Sequence, residues 1–223
     1  MIVWAAQGFG PGVRAWSDGD AVAVASPDLS RRDRLAVAGP VDAVGRLAAK
    51  VLAEVGPSFR PFGEEQLIRG LPDHVPGLRF AAAFGWMETR TCPTPQTEDP
   101  AWLDGDAGVE RLLTEASPSS YAWPGHTGVR RWAAVTGSDG ELLSIAADAW
   151  SAPEVGFLAG VATHPVARGK GLSRQVCSFV TTELIKQHGR VGLMVDGDNA
   201  AAIAVYQRLG YTYRRVAAAS VRS

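Results

Sequence analysis

Apolar and polar positions alternate along the second half of the chain with the periods of strands and helices. Arg131–Thr136 and Leu142–Asp148 are apolar segments of strand length, separated by Gly137-Ser-Asp-Gly140, a hairpin turn signal that predicts antiparallel neighbours. Glu154–Thr163 reads as the next strand, carrying Val155, Phe157, Leu158 and Val161. From Ser173 onward Val176, Phe179, Val180, Leu184 and Ile185 follow the helical period, and after Gly189 the run Val191–Val195 is a short apolar strand. Strand, loop, helix, strand makes a βαβ crossover, so 155–163 and 191–195 are expected to be parallel. A last helix follows Asp196-Gly-Asp-Asn199, with Asn199 placed to cap it and Gly210 to end it.

The first half carries a weaker version of the same succession. Ala21–Ala25 and Arg34–Gly39 read as strands, with Pro27-Asp28 and Arg31–Asp33 in the turn between them. Pro40–Val55 reads as an amphipathic helix through Val41, Val44, Leu47, Ala48, Val51 and Leu52, ended by Gly56-Pro57. A short helix around Glu64–Leu71 and a strand Leu78–Thr89 follow, and the Pro- and acid-rich stretch 91–106 reads as a linker.

Chemistry is concentrated between the strand 154–163 and the helix after it. Gly169 and Gly171 leave the backbone bare, so that several N–H groups can converge on one set of oxygens, and the following helix adds the positive end of its dipole. Arg168 and Lys170 add charge, and a phosphate or pyrophosphate is the natural occupant. Two commoner phosphate loops do not fit. A P-loop needs Ser or Thr directly after Gly-Lys and a glycine five positions before the second glycine, but Lys170 is followed by Gly171 and the earlier position is His164. A dinucleotide fingerprint needs a third glycine where Arg174 stands.

The pattern that does fit is Arg/Gln-x-x-Gly-x-Gly/Ala, read as Arg168-Gly-Lys-Gly171-Leu-Ser173, with Pro165 three residues before the arginine. It resembles the acyl-CoA loop of the GNAT superfamily of N-acyltransferases. Downstream, Asp198-Asn199-x-x-Ala-x-x-x-Tyr206-x-x-Leu-Gly-Tyr211 is similar to the second signature of that family, which lies beside the sulfur end of the cofactor. Ser173 departs from the usual Gly or Ala; being small and a good first-turn residue it is tolerable there, with slight crowding of any phosphates the loop would hold.

The resemblance implies an α/β (α+β) fold: a mixed, mostly antiparallel twisted sheet flanked by helices, with a splayed parallel strand pair whose gap holds the pantetheine arm. Residues 107–223 would form the catalytic domain and 91–106 the linker. Residues 1–90 would form an amino-terminal subdomain, read either as a degenerate acyltransferase-like half or as a lid or packing subdomain of unrelated origin. Gly39 passes straight to Pro40 and leaves no room there for a phosphate loop, so no cofactor is expected in that half.

The implied activity is N-acetyl transfer from acetyl-CoA, a co-substrate, to a small-molecule or peptide amine, directly in a ternary complex and without metal. The alternative is a non-catalytic module that binds acetyl-CoA or CoA as a signal. Val161, Ala162, Thr163, Arg168, Gly169, Lys170, Gly171, Leu172, Ser173, Arg174 and Asn199 would bind the cofactor, with backbone N–H groups near Val161 and Thr163 serving the pantetheine and thioester. Tyr206 matches the family's general acid, or else is a core aromatic. Glu154, Asp148 and His164 are the polar candidates for receiving the amine proton, directly or through water; Glu154 is the catalytic candidate, with an ordinary solvated carboxylate as the alternative, and the alternative for His164 is packing beside Pro165. Asn199 combines a helix cap with a family position near the cofactor.

Composition adds exclusions. The chain has 223 residues, 46% of them hydrophobic, enough for one substantial core or two small ones. A net charge of −1 gives no reason to expect nucleic acid or a membrane as partner, and no apolar run approaches the ~20 residues of a span. The first residues lack the basic start and apolar core of a signal peptide, so a cytoplasmic location is expected. Cys92 and Cys177 form neither a metal motif nor a disulfide framework, and Cys177 is expected to be a buried thiol.

Overall fold

A computed structural model describes residues 1–94 and 100–221. Part of the expected linker, Pro95 included, lies outside the described residues. The chain divides into two compact units, and they are not its two halves: Met1–Trp86, Met194–Asn199 and Tyr213–Ser223 make one, Met87–Leu193 and Ala200–Thr212 the other.

The first unit contains α1 (Ile2–Ala6), β1 (Arg14–Asp18), β2 (Ala21–Ser26), β3 (Arg34–Ala38), α2 (Val41–Val55), β4 (Arg60–Glu64), α3 (Glu65–Gly70) and most of β5 (Leu78–Thr89). Strands β1, β2 and β3 run antiparallel in order, and β3 and β4 are parallel from Arg34↔Arg60 to Ala36↔Phe62. The next strand is not β5 but β11 (Thr212–Val221), from the other end of the chain, antiparallel to β4 through Val216↔Glu64, Ala217↔Gly63 and Ala218↔Phe62. Val44, Leu47, Ala48 and Val51 of α2 pack on Leu35, Val37, Ile68, Leu71, Ala217 and Ala219, all nearly free of solvent. The strand passes into α2 at Gly39, whose φ is +127° and whose missing Cβ would stand 2.5 Å from the backbone oxygen of Asp20. No residue but glycine fits, and no loop intervenes.

The second unit contains β6 (Ala101–Trp102), α4 (Val109–Ala116), β7 (Val129–Thr136), β8 (Leu142–Ala149), β9 (Gly156–Thr163), α5 (Leu172–His188), the start of β10 (Val191–Asp196) and α6 (Ala200–Arg208). Its strand order is β10-β9-β8-β7-β6. The expected hairpin is β7–β8, and β9 and β10 are parallel as the crossover requires. The sheet is therefore mixed, with helices on it, as the fold reading expects. A short strand, β6, falls inside the expected linker and pairs with β7 through Ala101↔Ala134 and Trp102↔Ala133. The periodicity did not reveal α1, β1, β4, α4 or β11. In β4, Pro61 and Gly63 break the strand signal, and β11 carries the exposed pair Arg214-Arg215 ahead of its apolar run.

Among the described residues no helix is long and apolar enough to cross a membrane, and no group of three His, Cys, Asp or Glu side chains is gathered as for a metal ion.

Candidate active site

The second unit presents a strand edge that leads straight into the glycine-containing turn before α5. The parallel register of β9 with β10 is confined to Val191↔Gly156 and Gly192↔Phe157, so the rest of β9 keeps β8 as its partner. That antiparallel register shifts between Ile145↔Ala162 and Ala147↔Ala159: Gly160 and Val161 of β9 stand opposite the single residue Ala146 of β8. The extra residue lies at Gly160, where φ is +61° and a Cβ would stand 2.5 Å from the Trp132 ring and 3.2 Å from Ala122 Cβ. Glycine is thus required twice over, by dihedral and by space.

The direction of the backbone groups beyond the bulge follows from their hydrogen bonds. His164 N–H donates to Leu143 O at 2.9 Å and Ala162 O accepts from the Ser144 hydroxyl at 3.2 Å, so 162 and 164 face β8. Alternation then turns Thr163 and Val161 the other way. Consistently, Thr163 O is held by Arg168 rather than by β8. The N–H groups of Val161 and Thr163 therefore lie on the edge that faces away from β8.

After β9, Pro165–Ala167 form one 3-10 turn, initiated by His164, whose Nδ1 accepts from Val166 N–H at 3.4 Å. Gly169 and Gly171 have φ of 77° and 80°, and nothing stands within 4 Å of either Cβ position. Gly171 caps α5 without a side chain, so none of the first-turn N–H groups receives a side-chain cap. Open space in front of bare amides at a helix start is what a pyrophosphate needs. Lys170 and Arg174 are exposed beside it, Ser173 and Gln175 partly so, and Leu172 is anchored in the core.

Tyr206 projects from α6 into the interior, 5.8 Å between ring centroids from Tyr211. The two phenols differ. Tyr211 shares a 2.8 Å hydrogen bond with the Thr181 hydroxyl on α5, whereas the Tyr206 hydroxyl has no hydrogen-bond partner among the described residues. Burial holds the Tyr206 phenol well above the usual tyrosine range, and the neighbouring Cys177 and Tyr211 push the same way. Burial also pushes the Cys177 thiol up to about 12, so it is a buried thiol as expected, while Cys92 is exposed.

The three groups considered for a base have three different fates. Glu154 is exposed in the turn before β9, at the end opposite the loop, roughly 20 Å from Val161 by the rise of the strand. It is not brought to the bulge. Asp148 is buried and fully occupied, accepting from the Ser151 hydroxyl at 2.6 Å and facing Arg131 Nε at 3.4 Å. Ser151 Oγ in turn accepts from Phe157 N–H at 2.8 Å, so this carboxylate shapes the entry to β9. His164 does lie at the loop end, but one nitrogen receives Val166 N–H and the other faces Glu115 Oε1 at 3.4 Å. Asn199 directly precedes α6, and its N–H donates to Asp196 O at 3.0 Å. The bulge at Gly160 was missed in the sequence, although a lone glycine inside a strand pattern is its signal.

A family model described as FR47-like protein matches residues 138–220. A mycothiol acetyltransferase of Rhodococcus erythropolis is 30% identical over 213 residues, covering 90% of this chain and 62% of that protein. The chain thus spans about three fifths of the length of that curated relative. Among solved structures, a GCN5-related N-acetyltransferase from Kribbella flavida has a TM-score of 0.64 at 19% identity, covering 100% of this chain and 95% of that one. A tandem GNAT protein from the clavulanic acid biosynthesis pathway has a TM-score of 0.50 at 11% identity, covering 98% of this chain and 86% of that one. At these identities the solved structures speak for the fold.

Proposed function

This chain is GNAT-related, in its fold throughout and in sequence over its FR47-like segment, and from that premise we propose that it transfers an acetyl group from acetyl-CoA directly to an amine. The observation that carries the reading is the β9 edge, freed from β10 after Phe157, bulged at Gly160 and running into a glycine loop at the start of α5. Amides of residues 169–173 would receive the pyrophosphate. The N–H groups of Val161 and Thr163 would hold the pantetheine arm and polarise the thioester carbonyl, whose oxygen gains charge as the amine adds.

The amine nitrogen attacks as the free base, a C–N bond forms, and the C–S bond breaks as the tetrahedral intermediate collapses. Sulfur takes the Tyr206 proton, the proton lost by nitrogen leaves to water, and the phenol is recharged from solvent. A phenol well above its ordinary pKa is a poor donor to a thiolate in water. In the same dry surroundings, however, the leaving thiolate is raised too, because desolvation penalises both anions.

The first unit repeats the succession antiparallel strands, parallel crossover, short helix, long strand, and lacks an anion loop at Gly39-Pro40. We read it as an acyltransferase-like half that binds no acyl-CoA. The full-length likeness to a tandem GNAT protein supports that reading.

The test is CoA thiol release by the purified chain with a panel of amines that includes the unacetylated form of mycothiol, the molecule in its relative's name. Release that depends on one class of amine, with an acetylated product by mass, is the expected result. Acetyl-CoA binding without turnover of any amine would replace the enzyme with a binding module.

A further inference from the structure

We propose that Arg168, the arginine of the loop motif, is a positioning residue that staples the end of α4 to the exit of β9, rather than a ligand of the phosphates. Its Nε donates to Thr163 O and its Nη2 to Ala116 O, each at 3.3 Å. Ala116 is the last residue of α4, where carbonyls lack intrahelical partners and the helix dipole is negative, so a guanidinium is well matched to the position. A second tie lies alongside, from His164 Nε2 to Glu115 Oε1 at 3.4 Å. With its fork turned to two carbonyls, the side chain is committed away from the bare amides of 169–173.

What the staple holds is the segment after α4. Ser120 Oγ donates to Ala122 O at 2.9 Å and Trp123 Nε1 to Ser120 O at 2.7 Å, which braces the segment on itself. Ala122 is buried, and its Cβ lies 3.2 Å from where a side chain on Gly160 would begin. One end of the segment is therefore fixed by Arg168 and the other covers the bulge from which Val161 N–H is released. Arg168 acts through this cover on the strand edge where the thioester is to be polarised.

The inference rests on the acetyl-transfer reading, and its test separates the two. Arg168→Met, Arg168→Gln and Arg168→Lys are compared with the parent in single-turnover acetylation, calorimetry with acetyl-CoA, and amide hydrogen exchange over residues 117–122. Misplacing reacting groups by an ångström costs on the order of a hundredfold, so the methionine variant should lose about ten- to hundredfold in rate. Its acetyl-CoA affinity should stay within about threefold, and 117–122 should exchange faster. Glutamine, a neutral donor that can still reach a carbonyl, should recover much of the rate. If instead affinity falls about tenfold or more in the methionine and glutamine variants and returns with lysine, the charge serves phosphate and the staple is wrong. Unchanged rate and exchange in all three overturn it as well. Should the parent turn over no amine, the transfer reading fails, while exchange and calorimetry still decide the staple.

Discussion

Replacing Tyr206 by Phe removes one hydroxyl that no described residue holds, and the neighbouring Tyr211 supplies its control. Because the Tyr206 hydroxyl has no partner among the described residues, its loss should leave stability nearly unchanged. Tyr211→Phe breaks the 2.8 Å bond to Thr181, which is fully buried, and should cost about 1–3 kcal/mol because an unsatisfied hydroxyl remains inside. Catalysis should show the reverse. General-acid assistance is worth about 10²–10⁴ in rate, so Tyr206→Phe should lower the single-turnover rate by that order with acetyl-CoA affinity intact. Tyr211→Phe should lower it far less at a temperature where it stays folded. The assay pairs denaturant melts with rapid-quench turnover at saturating acetyl-CoA. A Tyr206→Phe variant that acetylates at the parent rate, or one that loses stability while Tyr211→Phe does not, refutes the division of labour.

Gly171→Asp puts a carboxylate at a φ of 80°, with nothing within 4 Å to obstruct it; the strain costs about 1–2 kcal/mol, the chain should fold, and acetyl-CoA affinity should fall at least about a hundredfold by calorimetry. Gly171→Ala carries the same strain without the charge and should lose much less. Cys177 predicts an alkaline weakening of the fold: from its ordinary 9.0 up to about 12, the unfolded chain has given up the thiol proton and the buried thiol has not, so stability falls as pH rises through that window. The slope is at most about 1.4 kcal/mol per pH unit, and denaturant melts between about pH 8 and pH 10 should be flatter for Cys177→Ala. Deleting residues 212–223 removes Val216, Ala217 and Ala219, each buried, and bares the β4 edge. The first unit should then lose cooperative unfolding by near-ultraviolet circular dichroism; retained cooperativity would show β11 to be dispensable.

The sequence was most legible where local signals agree. The hairpin 137–140, the helix from Ser173 and the two loop glycines each follow from spacing and turn chemistry; the observed β7–β8 pair and positive φ angles match them, and α5 begins one residue earlier, at Leu172. Tyr206 could be placed on a helix and matched to the family's general acid, with a core aromatic as the alternative, but only the fold shows that the Tyr211 hydroxyl is held by Thr181. Glu154 illustrates a different limit. A strand read from its pattern has two ends, and nothing local says which one carries the chemistry. Arg168 is subtler still: its motif suggests phosphate, and the carbonyl that claims it belongs to a residue far upstream in sequence. For β4 and β11 each local pattern is poor, and each is made a strand by its pairing with the other.

That pairing governs the order in which the protein can be made. The strand beside β4 follows nearly all of the second unit in sequence, so the amino-terminal sheet keeps an open edge until residues 212–221 have been made. During that interval α2 can dock on β2 and β3, but Ala217 and Ala219 are not yet there to close the core beneath it. Amino-terminal domains commonly finish folding while the remainder is still being translated. Here the first unit begun cannot be completed before the second unit has been made, and the chain depends most on protection from aggregation in the interval before β11 emerges.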